Sequence, residues 1–454
     1  MAARNRWVLV LSLVMLLAVG IITSGRLPTR AAAATSGTPP LASPTASPVA
    51  SPTASPIASP TTAQPIVWVE LGPNGVQIAR AIATGACPTI TIDGAVQPMT
   101  ARAQPSAAFP VRVCQATIPA GAKAAAVAGR ALHLLTGAPK RIAVIGDTGC
   151  RIKGSLIQDC NEPGQWSFTA IAREIAAWQP DLIIHVGDYH YRESACPAGD
   201  AGCAGSPTGD IWASWNADFF APAAPLLTSA PWVFVRGNHE DCARAGAGWF
   251  LLLDPRPVPA SGCEDYTDPY AIPVGSQTLV VMDTAVANDT TASNAQVAQF
   301  REQLQMVGQL AGDNGWLLTH RPIWGPVVPS GTTTLATGNV TLQAAADNSL
   351  PAGIKLLLDG HVHLAEVLGF EPSAGRPPVF IAGNSGTALD SPIKQPLEGV
   401  DIAGAKLAVA RTYSEFGYLT LQASGTGWIG TEHTETGQVL TTCTVQGFAM
   451  TCTP

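Results

Sequence analysis

From residue 140 onward, short apolar runs alternate with stretches of helical spacing. Residues 142–145, 182–186, 232–235, 278–282, 316–319, 354–358 and 379–382 each read as a buried strand. Runs of four or five apolar residues bounded by breakers suit strands covered on both faces. Between them, residues 166–178 and 211–220 carry helical apolar spacing, and 294–310 is the best helical pattern in the chain. Strand and helix in alternation predict an α/β domain with a largely parallel interior over residues 140–423. Ahead of it, residues 66–136 hold short strand candidates (66–71, 89–92, 111–114) broken by Gly and Pro, which predict a small all-β N-terminal domain with a β-sandwich-like build. After Arg411 the pattern returns to β character, and residues 424–454 read as a C-terminal β extension with its own Cys pair.

The first 65 residues follow other rules. Arg4 and Arg6 precede an apolar run from 7 to 23, and small residues follow at 31–34. Residues 1–34 therefore read as a signal peptide, or as an N-terminal anchor if uncleaved. Residues 35–65 are Ser-Pro-Thr-Ala repeats that cannot bury a core, and they predict a disordered linker. Either reading of the N-terminus makes the protein secreted or otherwise extracytoplasmic, with membrane contact only through that uncleaved segment.

Ten cysteines fit such a compartment. They fall into neighbours along the chain, each pair bracketing a short loop-like segment: Cys87 with Cys114, Cys150 with Cys160, Cys196 with Cys203, Cys242 with Cys263, and Cys443 with Cys452. Sequential disulfides are expected. No C-x-x-C spacing is present, which argues against a thiolate metal site. The formal net charge is -7 and there is no Lys/Arg run, so backbone binding to nucleic acid is not expected.

The chemistry lies where the strands stop. Asp147 follows the first run, and Asp188 and Tyr191 follow the second. Asn238, His239 and Glu240 follow the third, and His320 follows residues 316–319. His361 and His363 close 354–358. Ligands of open α/β sheets sit outside the carboxyl ends of strands. Alternate residues of an extended segment share a face, so His361 and His363 can converge. Carboxylate, amide, phenol and imidazole without thiolate suit borderline first-row metals. Seven such ligands exceed the needs of one tetrahedral ion, and two metals make better use of them.

In order, Asp147-x-Gly149, Gly187-Asp188-x-x-Tyr191, Gly237-Asn238-His239-Glu240, Leu317-x-x-His320 and Gly360-His361-x-His363 resemble the calcineurin-like metallophosphoesterases, and more narrowly their purple acid phosphatase branch. Most of the superfamily has Asp-x-His at the first motif. Here Gly149 stands in the third position, and Tyr191 supplies a donor that most members lack. The resemblance implies a metallophosphoesterase-type four-layer α/β/β/α sandwich. It also implies that Asp147, Tyr191 and His363 hold Fe(III), that Asn238, His320 and His361 hold a divalent Zn, Fe or Mn ion, and that Asp188 bridges the two. His239 would stabilise or protonate the leaving oxygen, with Glu240 orienting it. A further histidine common downstream of the fourth motif has no match here, where Arg321 and Trp324 stand. The implied function is an exported acid phosphatase-like hydrolase of small phosphate monoesters, acting by attack of a metal-bound hydroxide. A phosphodiesterase or nucleotidase on the same site is the near alternative, and a non-catalytic, metal-stabilised binding module the distant one.

Overall fold

The computed structural model describes residues 64–329, 331–347 and 349–453. The expected signal or anchor (1–34) and nearly all of the expected linker lie outside the described residues. Two large sheets form the body. In the first, Arg141–Ile145, Leu182–His185, Trp232–Phe234 and Ile66–Leu71 run parallel side by side. In the second, Gln277–Val281, Gly315–Leu318, Ile354–Asp359 and Val379–Ala382 do the same.

Alternation along these strands builds three apolar layers. Ile142, Val144, Ile184 and Val233 face Leu279, Leu318, Leu358 and Phe380 between the sheets. Ala143, Ile145, Ile183, Trp232 and Phe234 face outward onto the helix Phe168–Trp178 and the segment around Phe219 and Trp249. On the far side, Val280, Leu317, Leu357 and Ile381 pack against Phe300, Leu304 and Leu342, which sit on the helices Asn294–Leu310 and Val340–Ala346. The result is the expected four-layer α/β/β/α sandwich.

Local chemistry explains the helix ends. Ser293 caps Asn294–Leu310 by accepting the backbone N–H of Gln296 at 3.2 Å. The helix Phe168–Trp178 stops at Gln179, which takes a left-handed conformation ahead of Pro180. The pattern over 211–220 resolves into the short helix Trp212–Trp215 and a π-helical turn, Asn216–Phe220.

Residues 66–136 are all strand and turn, as their pattern predicts, but they do not stand apart. Ile66–Leu71 pairs in parallel with Trp232–Phe234, and Gln77–Ala83 and Arg112–Ile118 continue that sheet outward. A second, four-stranded sheet made from Thr89–Ile92, Ala95–Pro98, Ala125–Val127 and Arg130–Leu132 completes the segment. Arg102 locks it in place by donating to the carbonyls of Phe250, Leu251, Asp254 and Arg256 at 2.8–3.0 Å. At the opposite edge, Gly417–Ser424 pairs antiparallel with Arg141–Ile145, and Gly427–Thr434, Val439–Gln446 and Ala449–Thr453 extend it. The five disulfides close in sequence order: 87–114, 150–160, 196–203, 242–263 and 443–452. Among the described residues no helix is long and apolar enough to cross a membrane.

Candidate metal centre

Parallel strands in both sheets end at one edge of the sandwich, and the chain turns sharply there. Asp147, Asp188 and His361 all take positive φ (55°, 60° and 71°). Non-glycine residues rarely adopt that conformation, and it persists only where the surroundings enforce it. Gly187 precedes Asp188 with φ 104°, and a Cβ there would stand 2.5 Å from His320 Nδ1. The turn thus needs glycine for conformation and for room.

These turns bring all seven sequence-predicted ligand candidates together. The Tyr191 hydroxyl lies 2.9 Å from Asp147 Oδ1, 2.9 Å from Asp188 Oδ2 and 3.1 Å from His363 Nε2. His363 Nε2 is 3.4 Å from Asp147 Oδ1. On the other side of Asp188, His320 Nε2 is 3.2 Å from Asp188 Oδ2 and 3.0 Å from Asn238 Oδ1. Ligating atoms of Asp188, His320 and His361 lie within 4.8 Å of one another. The contacts sort into two groups, Asp147/Tyr191/His363 and Asn238/His320/His361, that meet at Asp188.

His320 Nδ1 donates to the carbonyl of Val186 at 2.8 Å, which fixes the ring and aims Nε2 at Asp188 and Asn238. Asp188 raises the His320 imidazole to about 9, against burial. Burial, with Asp147 and Asp188 alongside, drives the Tyr191 phenol well above its usual range. Three acidic oxygen donors thus crowd one buried spot, and among the described residues no Lys or Arg bonds to any of them. No guanidinium or ammonium of the described residues bonds these oxygens directly, and cations between them satisfy that lack. The donor set fits two metal ions.

Residues 140–365 match the family model of the calcineurin-like phosphoesterases. These residues form a calcineurin-like phosphoesterase domain. It is accordingly a hydrolase of phosphoric ester bonds, and the family together with the clustered donors supports a binuclear metal centre. Among solved structures, it is similar to purple acid phosphatase PPD1 from yellow lupin (Lupinus luteus) seeds, at 14% identity and TM-score 0.54 over 84% of this chain and 74% of that one. It is also similar to PhoD, at 10% identity and TM-score 0.53 over 87% of this chain and 94% of that one. At such identities the likeness is one of fold. A search of curated proteins gives no match.

The acid next to His239 in the sequence is not the acid that touches it in the structure. Glu240, expected to orient His239, instead points beneath the neighbouring loop. Its carboxylate accepts the backbone N–H groups of Tyr189 and His190 on one oxygen and of Asp188 and Gly237 on the other, at 2.9–3.2 Å. It holds the turn that presents Asp188, and burial and the Asp188 charge push it up to about 8. Glu193 is the acid that touches His239, with Oε1 2.5 Å from Nδ1. It is also paired with Arg244, and these two partners hold the Glu193 carboxyl well below the usual carboxylate range. The same Nδ1 lies 3.1 Å from the carbonyl of His190.

Three more residues stand at the site to which the sequence reading gave no role. Arg321 and Asp289 form an ion pair beside His361, whose Nε2 is 2.9 Å from the guanidinium and 3.2 Å from the carboxylate. Arg151 stands beside His363. None belongs to a motif of its own, although Arg321 follows His320 directly and Arg151 lies four residues after Asp147. His190 turns away, its Nε2 2.9 Å from the Gly209 carbonyl, and is not among the donors.

Proposed function

We propose that this phosphoesterase is an exported phosphomonoesterase of the purple acid phosphatase type. In this reading Asp147, Tyr191 and His363 hold Fe(III), Asn238, His320 and His361 hold a divalent Zn, Fe or Mn ion, and Asp188 lies between. The observation that carries it is the exchange at the first motif. A Cβ on Gly149 would stand 2.5 Å from the Tyr189 carbonyl and 2.9 Å from the Tyr191 ring. The room that a side chain at 149 would use is taken by the Tyr189 carbonyl and the Tyr191 ring, and in this reading Tyr191 stands in for the missing imidazole. A phenol offers a hard anionic donor, which suits a trivalent ion.

The ions would supply positive charge that neutralises phosphoryl oxygens and acidifies water. The chain's own part is positional. Asp188 Oδ1 accepts the His239 backbone N–H at 2.8 Å, which sets that residue against the site. Both acceptors near His239 Nδ1, the Glu193 carboxylate and the His190 carbonyl, keep a proton on that nitrogen. Nε2 is left facing Asp188 Oδ2 at 3.7 Å. There it can take up a proton and hand it to the leaving oxygen. Burial lowers the imidazole to about 3, while Asp188 and Glu193 pull it upward. Five disulfides support an oxidising compartment and with it export. A small phosphate ester is the proposed partner, without nucleic acid.

A cavity of about 320 Å³ beside His361, walled mainly by apolar groups of Pro322, Val327 and Val362, favours a second reading. It leaves room for the extra substituent of a phosphodiester. Metal analysis, the visible spectrum and turnover of chromogenic mono- and diesters test both. Iron with a second metal, a broad band lost in Tyr191→Phe, and monoester hydrolysis abolished in Asp147→Ala or His361→Ala are expected. Substantial activity in either alanine variant refutes the assignment, and preference for the diester moves it to the second reading.

A further inference from the structure

Five arginines surround the strand-end turns, and four have a carboxylate. Arg192 pairs with Asp218, Arg236 with Asp283, Arg244 with Glu193 and Arg321 with Asp289. Arg151 pairs with none among the described residues, and its Nε is buried without a hydrogen-bond partner. Its guanidinium lies over the Tyr191 ring, 5.2 Å from the centroid. Nη2 is 3.3 Å from both ring nitrogens of His363. The lone pairs of those nitrogens diverge in the ring plane, so a group equidistant from both is a poor donor to either. Once His363 gives a lone pair to a metal, even that weak acceptor is spent. The guanidinium then has donors to spare and nothing to receive them.

The arm that carries it is not free to search for another partner. Arg151 N donates to Gln158 Oε1 at 2.9 Å, and its carbonyl accepts Gln158 N at 2.8 Å. The Cys150–Cys160 disulfide closes the same loop. A cavity of about 320 Å³ opens onto the side chain, with Ser155, Gln158, Ser391 and one carboxylate, Asp390, on its walls. An anion can therefore reach the guanidinium from solvent and remain beside His363.

We propose that Arg151 binds a non-bridging oxygen of the substrate phosphoryl group from the His363 side, as the anion clamp of this site. The assignment rests on the phosphoesterase reading and adds a residue to it. A guanidinium presents two parallel N–H donors that match phosphate, and a charged donor aimed at a phosphoryl oxygen gains strength as charge develops there.

The test uses metal-loaded protein, wild type and the variants Arg151→Met and Arg151→Lys. Calorimetric titration with inorganic phosphate, metal content and monoester kinetics are measured together. Arg151→Met is expected to weaken phosphate binding about tenfold or more and to lower kcat/KM by about 10²-fold, with metal content unchanged. Arg151→Lys keeps the charge without the fork and should recover only part of both. Unchanged phosphate affinity in Arg151→Met overturns the proposal. Loss of metal from that variant also overturns it, because Arg151 would then be supporting His363. Absence of hydrolysis in the wild type defeats the phosphatase reading instead, and the phosphate titration still reports on Arg151.

Discussion

Glu240→Gln separates the role read from sequence from the role found in the structure. Each carboxylate oxygen of Glu240 accepts two backbone N–H groups, Tyr189 and His190 on one and Asp188 and Gly237 on the other. A glutamine amide has one oxygen, so whichever way it turns, its NH₂ confronts two buried donors. Leaving a buried donor unpaired costs about 1–3 kcal/mol, which makes the substitution worth ~2–6 kcal/mol. The unfolding entropy of a body of roughly 390 residues is about 0.8 kcal/mol per degree, so the melting temperature should fall by ~2–7 °C. Scanning calorimetry on the metal-loaded protein at about pH 9, above the value of about 8 at which Glu240 ionises, with metal analysis beside it, reads the effect. The Asp188 turn is what loosens, so metal should be lost along with stability. A variant that melts within about 1 °C of wild type, keeps its metals and loses only kcat would refute this account. Glu240 would then be acting on His239 after all.

Glu193→Gln is the complementary case. It should lower kcat by about 10²-fold and displace the pH profile while melting point and metal content stay near wild type, because Glu193 touches His239 and Arg244 rather than the ligand turn; an unchanged pH profile would count against it. Glu432 gives a pH prediction away from the site. It is fully buried on the strand Gly427–Thr434, both oxygens lack partners, and burial lifts it to about 8 from 4.5. The folded state therefore binds the proton that the unfolded chain releases, so stability falls as pH rises from about 4.5 to about 8, by up to ~5 kcal/mol. Thermal melts of Glu432→Gln at pH 5 and pH 8 should show a flatter decline than wild type, and parallel declines would exclude the mechanism.

Strand cores were legible because each is a run of four or five apolar residues with a chemical break behind it, and the ligand candidates were legible because they are those breaks. The helix Gly246–Leu252 was not, since Gly-Ala-Gly opens it and seven residues give no period. The independence expected of residues 66–136 failed on a single long-range pairing, Glu70 opposite Trp232. Gly and Pro breaks mark where strands end, but not which partner they choose. Adjacency misled the reading of Glu240 for a geometrical reason. Asn238–Glu240 is one 3-10 turn, in which successive side chains point about a third of a revolution apart. Asn238 therefore faces His320, His239 faces Asp188, and Glu240 is turned back under the loop.

That loop accounts for how strained, like-charged donors stand ready together. Glu240 takes four of its neighbouring N–H groups from below. Asp218, on the π-helical turn Asn216–Phe220, takes the N–H groups of Tyr191, Arg192 and Cys150 at 2.8–3.2 Å and pairs with the Arg192 side chain. Two buried acids thus grip the segment carrying Asp188 and Tyr191 by its backbone, so that these two side chains stay turned into the site. Positive φ at Asp147 and Asp188 persists because the amides on either side have fixed partners. The cost of crowding acidic groups is met by folding, before any cation arrives. Cations held there would meet donors whose positions need little adjustment, a condition for tight binding and for a site that would not rearrange during reaction.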